Sequence, residues 1–193
     1  MKLLSLIGAM VLSASAAAAQ AEPTDTGEVG VHGTVAGLCI LGKPSRASID
    51  LGKMAAASGT RVGRIASLPS QTVELPGSFC NFAGTAISIR AEALVGDDVS
   101  TLQPGFARAV NFKSTVTDWA ATAPVVTTTA TASGSSPSAY GTGGTHPAAK
   151  VADLTMTLSD FAVPSDALLV SGAYNGRITI TLGPVVGGSP SGG

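Results

Sequence analysis

Gly172-Ala173-Tyr174-Asn175-Gly176-Arg177-Ile178-Thr179-Ile180-Thr181-Leu182 is the stretch that decides the fold class. Tyr174, Ile178, Ile180 and Leu182 fall on one face, and Arg177, Thr179 and Thr181 fall on the other. This period of two marks a strand with one dry face and one wet face. The same alternation recurs upstream. Leu154, Met156 and Leu158 oppose Thr155, Thr157 and Ser159. Val110, Phe112 and Val116 oppose Asn111, Lys113 and Thr115. Ile87, Ile89 and Ala91 oppose Ser88, Arg90 and Glu92, and Val73, Leu75, Gly77 and Phe79 lead into Cys80. Ile49 and Leu51 flank Asp50. Val29, Val31, Gly33 and Val35 share a face against Gly30, His32 and Thr34, which predicts a first strand there.

Helical patterning is weak. Met54–Ala57 is bracketed by Gly52 and Gly59, and Asp118–Thr122 precedes Pro124, so each allows one turn at most. Many short strands with Gly, Pro, Asn and Asp between them predict an all-β chain. The wet-face alternation favours antiparallel pairing in a β-sandwich.

The first residues carry Lys2, an apolar run over Leu3–Leu12, and the small-x-small triplet Ala19-Gln20-Ala21. This is the form of a secretory signal peptide over 1–21. The run is shorter than the roughly 20 apolar residues that cross a bilayer. Export predicts an oxidising compartment, so Cys39 and Cys80, the only cysteines, are expected to pair. A reduced, buried pair in a cytosolic protein is the competing reading, and the leader argues against it. A redox-active pair normally has Cys-x-x-Cys spacing, which points here to a structural bond.

Residues 22–193 would remain after cleavage, enough for one domain with a real core. Loss of Lys2 leaves ten basic against twelve acidic residues, a net charge of −2. Charged residues are 12% of the chain, against roughly 25% in an average globular protein. No basic patch exists to neutralise a phosphate backbone, so nucleic acid is not an expected partner. No second long apolar segment follows the leader, so no membrane span is expected after its removal.

Two segments break the alternation. Residues 127–147 are mostly Thr, Ala, Ser and Gly, with Tyr140 the single large apolar residue. That composition predicts a flexible loop inside the domain. Residues 22–28 read as a flexible lead-in, and 185–193 as a disordered tail. The sandwich domain is thus expected over 29–184.

Candidate chemistry is sparse. His32 and His146 are the only histidines and lie far apart, so no metal ligand set is expected. No Gly-x-Ser-x-Gly elbow is present. Asp97-Asp98 could serve acid–base chemistry or calcium, but a Gly-Asp-Asp-Val context reads first as a surface turn. Gly141-Thr142-Gly143-Gly144-Thr145 lacks the lysine and following helix of a phosphate loop. Trp119 and Tyr140 could mark a binding surface, although a lone Trp more often lies in a core. No catalytic residues, cofactor or enzymatic activity are expected.

The order of these features resembles a known family. Gly33-Thr34-Val35-Ala36-Gly37-Leu38-Cys39 is followed by Ile49-Asp50-Leu51-Gly52, then Phe79-Cys80-Asn81, and finally the Gly-x-Tyr opening of the 172–182 strand. From Val29 to Leu182 this is similar to the spore coat protein U domain and the related subunits of archaic chaperone–usher pili. Gly176 stands where that family usually has an acidic residue, and residues 183–193 extend beyond the usual end.

The resemblance implies an immunoglobulin-like sandwich lacking its last strand. The resulting groove is filled by a strand from an assembly chaperone and later from a neighbouring subunit. It implies edges of that groove at Val31, Val35, Tyr174, Ile178, Ile180 and Leu182. It also implies a periplasmic chaperone, an usher and neighbouring pilin-like subunits as partners, and a place at the cell surface. A donor segment would lie near the mature N-terminus. Glu22–Gly30 has no bulky apolar residue before Val29, which points to a minor, tip or terminating subunit, or to a monomeric relative. The expected function is a structural or adhesive exported subunit. A secreted or periplasmic monomeric β-sandwich that binds a ligand is the alternative.

Overall fold

A computed structural model describes residues 25–185. The expected signal peptide and most of the expected tail lie outside the described residues. The chain divides after Val35, and the compact unit begins at Ala36.

The compact unit is all-β and sandwich-like, with antiparallel pairing in its main sheet. Its strands are β1 (Cys39–Ile40), β2 (Gln71–Cys80), β3 (Thr85–Gly96), β4 (Phe106–Ala107) and β5 (Ala109–Thr117), followed by β6 (Val125–Thr127), β7 (Ala139–Thr142), β8 (Lys150–Ala162), β9 (Leu168–Leu169) and β10 (Tyr174–Pro184). Hydrogen-bonded neighbours run β1-β2-β8-β5-β3-β10, with β6 added to β5 and β7 added to β3. One layer is β1-β2-β8-β5 with β6. The other is β3 flanked by β10 on one edge and β7 on the other.

β5 belongs to both layers. Ala109 and Val110 pair with Val95 and Leu94 of β3, and from Asn111 onward the strand pairs with β8. An irregularity between Asn111 and Lys113 lets the strand change partners.

The core lies between the layers. Val73 and Leu75 of β2, Ile87 and Ile89 of β3, Phe112 and Val116 of β5, and Leu154 and Met156 of β8 meet there. These are the inward positions of the alternating runs, which is why β2, β3, β5, β8 and β10 form where the period of two predicts them. Trp119 is 1% exposed in this core, and its indole Nε1–H donates to the Thr85 carbonyl at 3.1 Å. Lys150 Nζ donates to the carbonyls of Asp118 and Trp119 and stands 5.7 Å from the Trp ring centre. Trp119 is therefore a core residue and not a surface marker.

Four expectations are corrected. Val29–Val35 is not a paired strand: pairing begins at β1, and Val29, Val31 and Val35 are 88%, 91% and 90% exposed. Ile49–Leu51 forms no strand, although both side chains are half-buried. Met54–Ala57 is no helical turn; Ala55 bridges Ile65 in a small hairpin. Residues 127–147 are not a structureless loop. They contain β7, the Thr128 hydroxyl accepts the Phe112 N–H at 2.9 Å, and Ala130 is buried. Gly141 lies so close to the Val125 backbone that no β-carbon would fit. The small residues of this segment allow tight backbone packing, which offsets its lack of apolar side chains.

A second small core holds Ile65, Ala107, Val110, Val163 and Ala167 beneath the short parallel pair β4–β9. Asp166 closes this end by accepting from Arg61 at 2.6 Å and Arg64 at 3.2 Å.

Candidate functional site

Cys39 and Cys80 are bonded and lie directly opposite each other across β1 and β2. The bond pins the start of the compact unit to the end of β2. Beyond β1 the chain continues beside β2 but loses the regular ladder, and β2 itself supplies the reason. Pro76 has no N–H to donate, Gly77 takes a positive φ of 66°, and the β2–β8 register shifts between Leu75 and Ser78. Gly77 N–H is taken by Asp153 at 2.7 Å. The bulge presents Ser78 Oγ, which accepts from Gly42 N–H at 2.9 Å and donates to Leu75 O at 3.0 Å. A β-carbon at residue 42 would run into the Pro76 carbonyl oxygen, so only glycine lets the chain lie this close. Further on, Ser45 N–H donates to Glu74 O at 2.8 Å and Arg46 donates to Thr72 O. Residues 41–51 thus form an irregular wall along β2.

On the other side stands β10. Its ladder with β3 runs from Tyr174↔Gly96 to Pro184↔Thr85. Among the described residues no strand pairs with its opposite edge. The N–H and C=O groups of that edge are left for an added strand or for water. β1 and β10 come within 8 Å at the disulfide end. Away from that end the two margins separate around an open cavity of about 550 Å³. Leu41, Ile49 and Leu51 line one margin, and the stretch Tyr174–Ile180 lines the other. Val73, Leu75, Phe112, Met156 and Leu158 lie at its floor. The cavity therefore opens onto the main core.

Tyr174 closes the foot of this groove. Its hydroxyl donates to Val170 O at 2.7 Å, and its ring lies against Gly96, where a β-carbon would be 3.2 Å from it. Burial holds its phenol above the ordinary range; the Arg108 charge opposes this, and Asp98 and Asp97 add to it.

Of the groove edges expected from the resemblance, Tyr174, Ile178 and Ile180 line the cavity. Leu182 packs on the main core nearer the disulfide end. Val31 and Val35 do not lie in the compact unit; they carry exposed side chains on unpaired backbone. The wall at Leu41 and Ile49 was not anticipated, because a bulge in a neighbouring strand created it.

The other candidates resolve into local structure. Asp98 accepts from Ser100 N–H and Oγ at 2.8 Å each, as a turn residue does, and these bonds hold its carboxyl below the usual range. Asp97 accepts from Ala173 N–H at 2.9 Å. His146 bridges Thr85 by backbone and stands 6.1 Å from the Trp119 ring. Among the described residues no group of three His, Cys, Asp or Glu could hold a metal ion, and no helix is long and apolar enough to cross a membrane.

Comparison with protein-family models, with curated proteins and with solved structures finds no match.

Proposed function

We propose that this chain is a non-enzymatic exported subunit, similar to spore coat U-type pilins, that joins other polypeptides by β-strand addition. One observation carries the reading: β10 has an unpaired edge beside an open cavity that reaches the apolar core. A strand laid there would satisfy the free backbone groups and cover the floor with alternate side chains. The proposed occupant in an assembly is the segment Val29–Val35 of a second copy. Its valines alternate and are nearly fully exposed on extended, unpaired backbone. Its seven residues equal the span of Tyr174–Ile180 along the cavity, about 20 Å when extended. The residues before Val29 are poor anchors, but the valines follow them. Before assembly, a chaperone strand would occupy the same place, and an usher would mediate the exchange.

Val31→Asp and Val35→Asp should each abolish SDS-resistant multimers of the exported protein while leaving its disulfide intact. A peptide of residues 27–37 should raise the thermal midpoint of protein lacking residues 22–35. Multimers undiminished by both substitutions, or a peptide without effect on the midpoint, would overturn the proposal.

A further inference from the structure

The outer face of the β7-β3-β10 layer carries an aromatic and charged array. The pairing registers align it in rows. Tyr140, Arg90 and Thr179 lie side by side across the three strands, and Thr142, Ser88 and Thr181 form the row on one side. On the other side Arg177 is directly opposite Glu92, with Ser138 beyond. Tyr140 is 69% exposed, and the Arg90 guanidinium stands 5.8 Å from its ring centre.

The polar groups hold one another in place. Arg90 donates to Ser138 Oγ at 2.8 Å and to Glu92 Oε1 at 3.1 Å, and Ser138 Oγ donates to Glu92 Oε1 at 3.1 Å. Glu92 is thereby neutralised. Arg177 makes no hydrogen bond or ion pair among the described residues, yet it borders the same shallow depression of about 90 Å³ with Arg90, Glu92 and Thr179. The depression has two guanidinium groups against one carboxylate. Its uncommitted donor is the fork that matches a carboxylate in two parallel bonds.

We propose that this face binds a carboxylated saccharide. The exposed ring of Tyr140 offers a flat apolar surface to the C–H face of a sugar. The fixed Glu92 and Thr179 meet ring hydroxyls, and Arg177 takes the uronate carboxylate. This face is the solvent side of the layer, and two of its residues, Arg177 and Thr179, also lie on the margin of the strand-addition groove.

The test is titration of the disulfide-intact exported protein with a galacturonic acid tetramer, followed by amide chemical shifts and calorimetry. The expected result is saturable binding at about 1 mM or tighter, with shifts confined to β3, β7 and β10. Tyr140→Ala should weaken it about five-fold, and Arg177→Ala about ten-fold. Maltotetraose, which has no carboxylate, should bind more weakly than the uronate. Equal binding of the two, an equal response to sodium sulfate, absence of saturation at about 5 mM, or shifts mapping elsewhere would each overturn the proposal. The shift map serves even if a variant fails to fold.

Discussion

Replacing both cysteines, as Cys39→Ala with Cys80→Ala, tests the link between the disulfide and the groove wall. The bond closes a separation of 41 residues. In the chain-entropy model a loop of that length restricts the unfolded chain by about 13 cal/mol/K, or about 4 kcal/mol at 25 °C. Cys80 is also buried, so removal of its sulfur adds a small cavity cost in the same direction. For a domain of this size the loss corresponds to a fall in thermal midpoint of about 8–16 °C. Urea unfolding monitored by Trp119 fluorescence measures the change, since that side chain leaves the core on unfolding. The loss should not be uniform. β1 is only two residues long, so without the bond the wall of residues 41–51 is held by the hydrogen bonds of Gly42, Ser45 and Arg46 and by the packing of Leu41 and Ile49 on the core. Amide exchange in that wall should rise well before exchange in β3 or β8. A stability loss below about 1 kcal/mol, with unchanged protection of residues 39–51, would refute the reasoning.

Gly42→Ala should destabilise by about 1–3 kcal/mol and loosen the same wall, because the new methyl must displace the Pro76 carbonyl; urea midpoints and exchange of the backbone N–H at position 42, compared between parent and variant, report it. Asp166 is held below its usual range first by the hydrogen bond from Arg61; desolvation opposes this, and the charges of Arg61 and then Arg64 lower it further. A lowered folded value contributes stability that is complete above the unfolded carboxylate pKa of about 4 and is lost as pH falls through the folded value. Asp166→Asn should therefore lower stability slightly in the neutral region and converge on the parent at low pH, which flattens the acid limb of the curve. A variant as acid-sensitive as the parent refutes that assignment.

The five long strands were legible because each has one face on the core and one in water. Ile178 and Ile180 against Thr179 and Thr181 leave little ambiguity. The alternation at Val29, Val31 and Val35 was just as clear but records only a capacity to pair. Whether a partner lies in the same chain is a matter of tertiary structure, and here none of the described residues supplies it. Residues 127–147 were opaque for the opposite reason. Thr128 and Ala130 are buried with little side-chain area, and Gly141 is needed for backbone contact. Small-residue composition is shared by mobile loops and by tightly packed backbone. The groove depends on a bulge at Pro76-Gly77 deflecting a neighbouring segment, and no local pattern in residues 41–51 encodes that.

Because β5 is stitched into one layer by its first two residues and into the other by the rest, it acts as the spine of a book. The covers cannot slide past one another without tearing that strand. The fore-edges have no such shared strand, and the disulfide lies as a clasp at one corner. The mouth beside β10 is thus a margin at which, among the described residues, no ladder ties the two layers together.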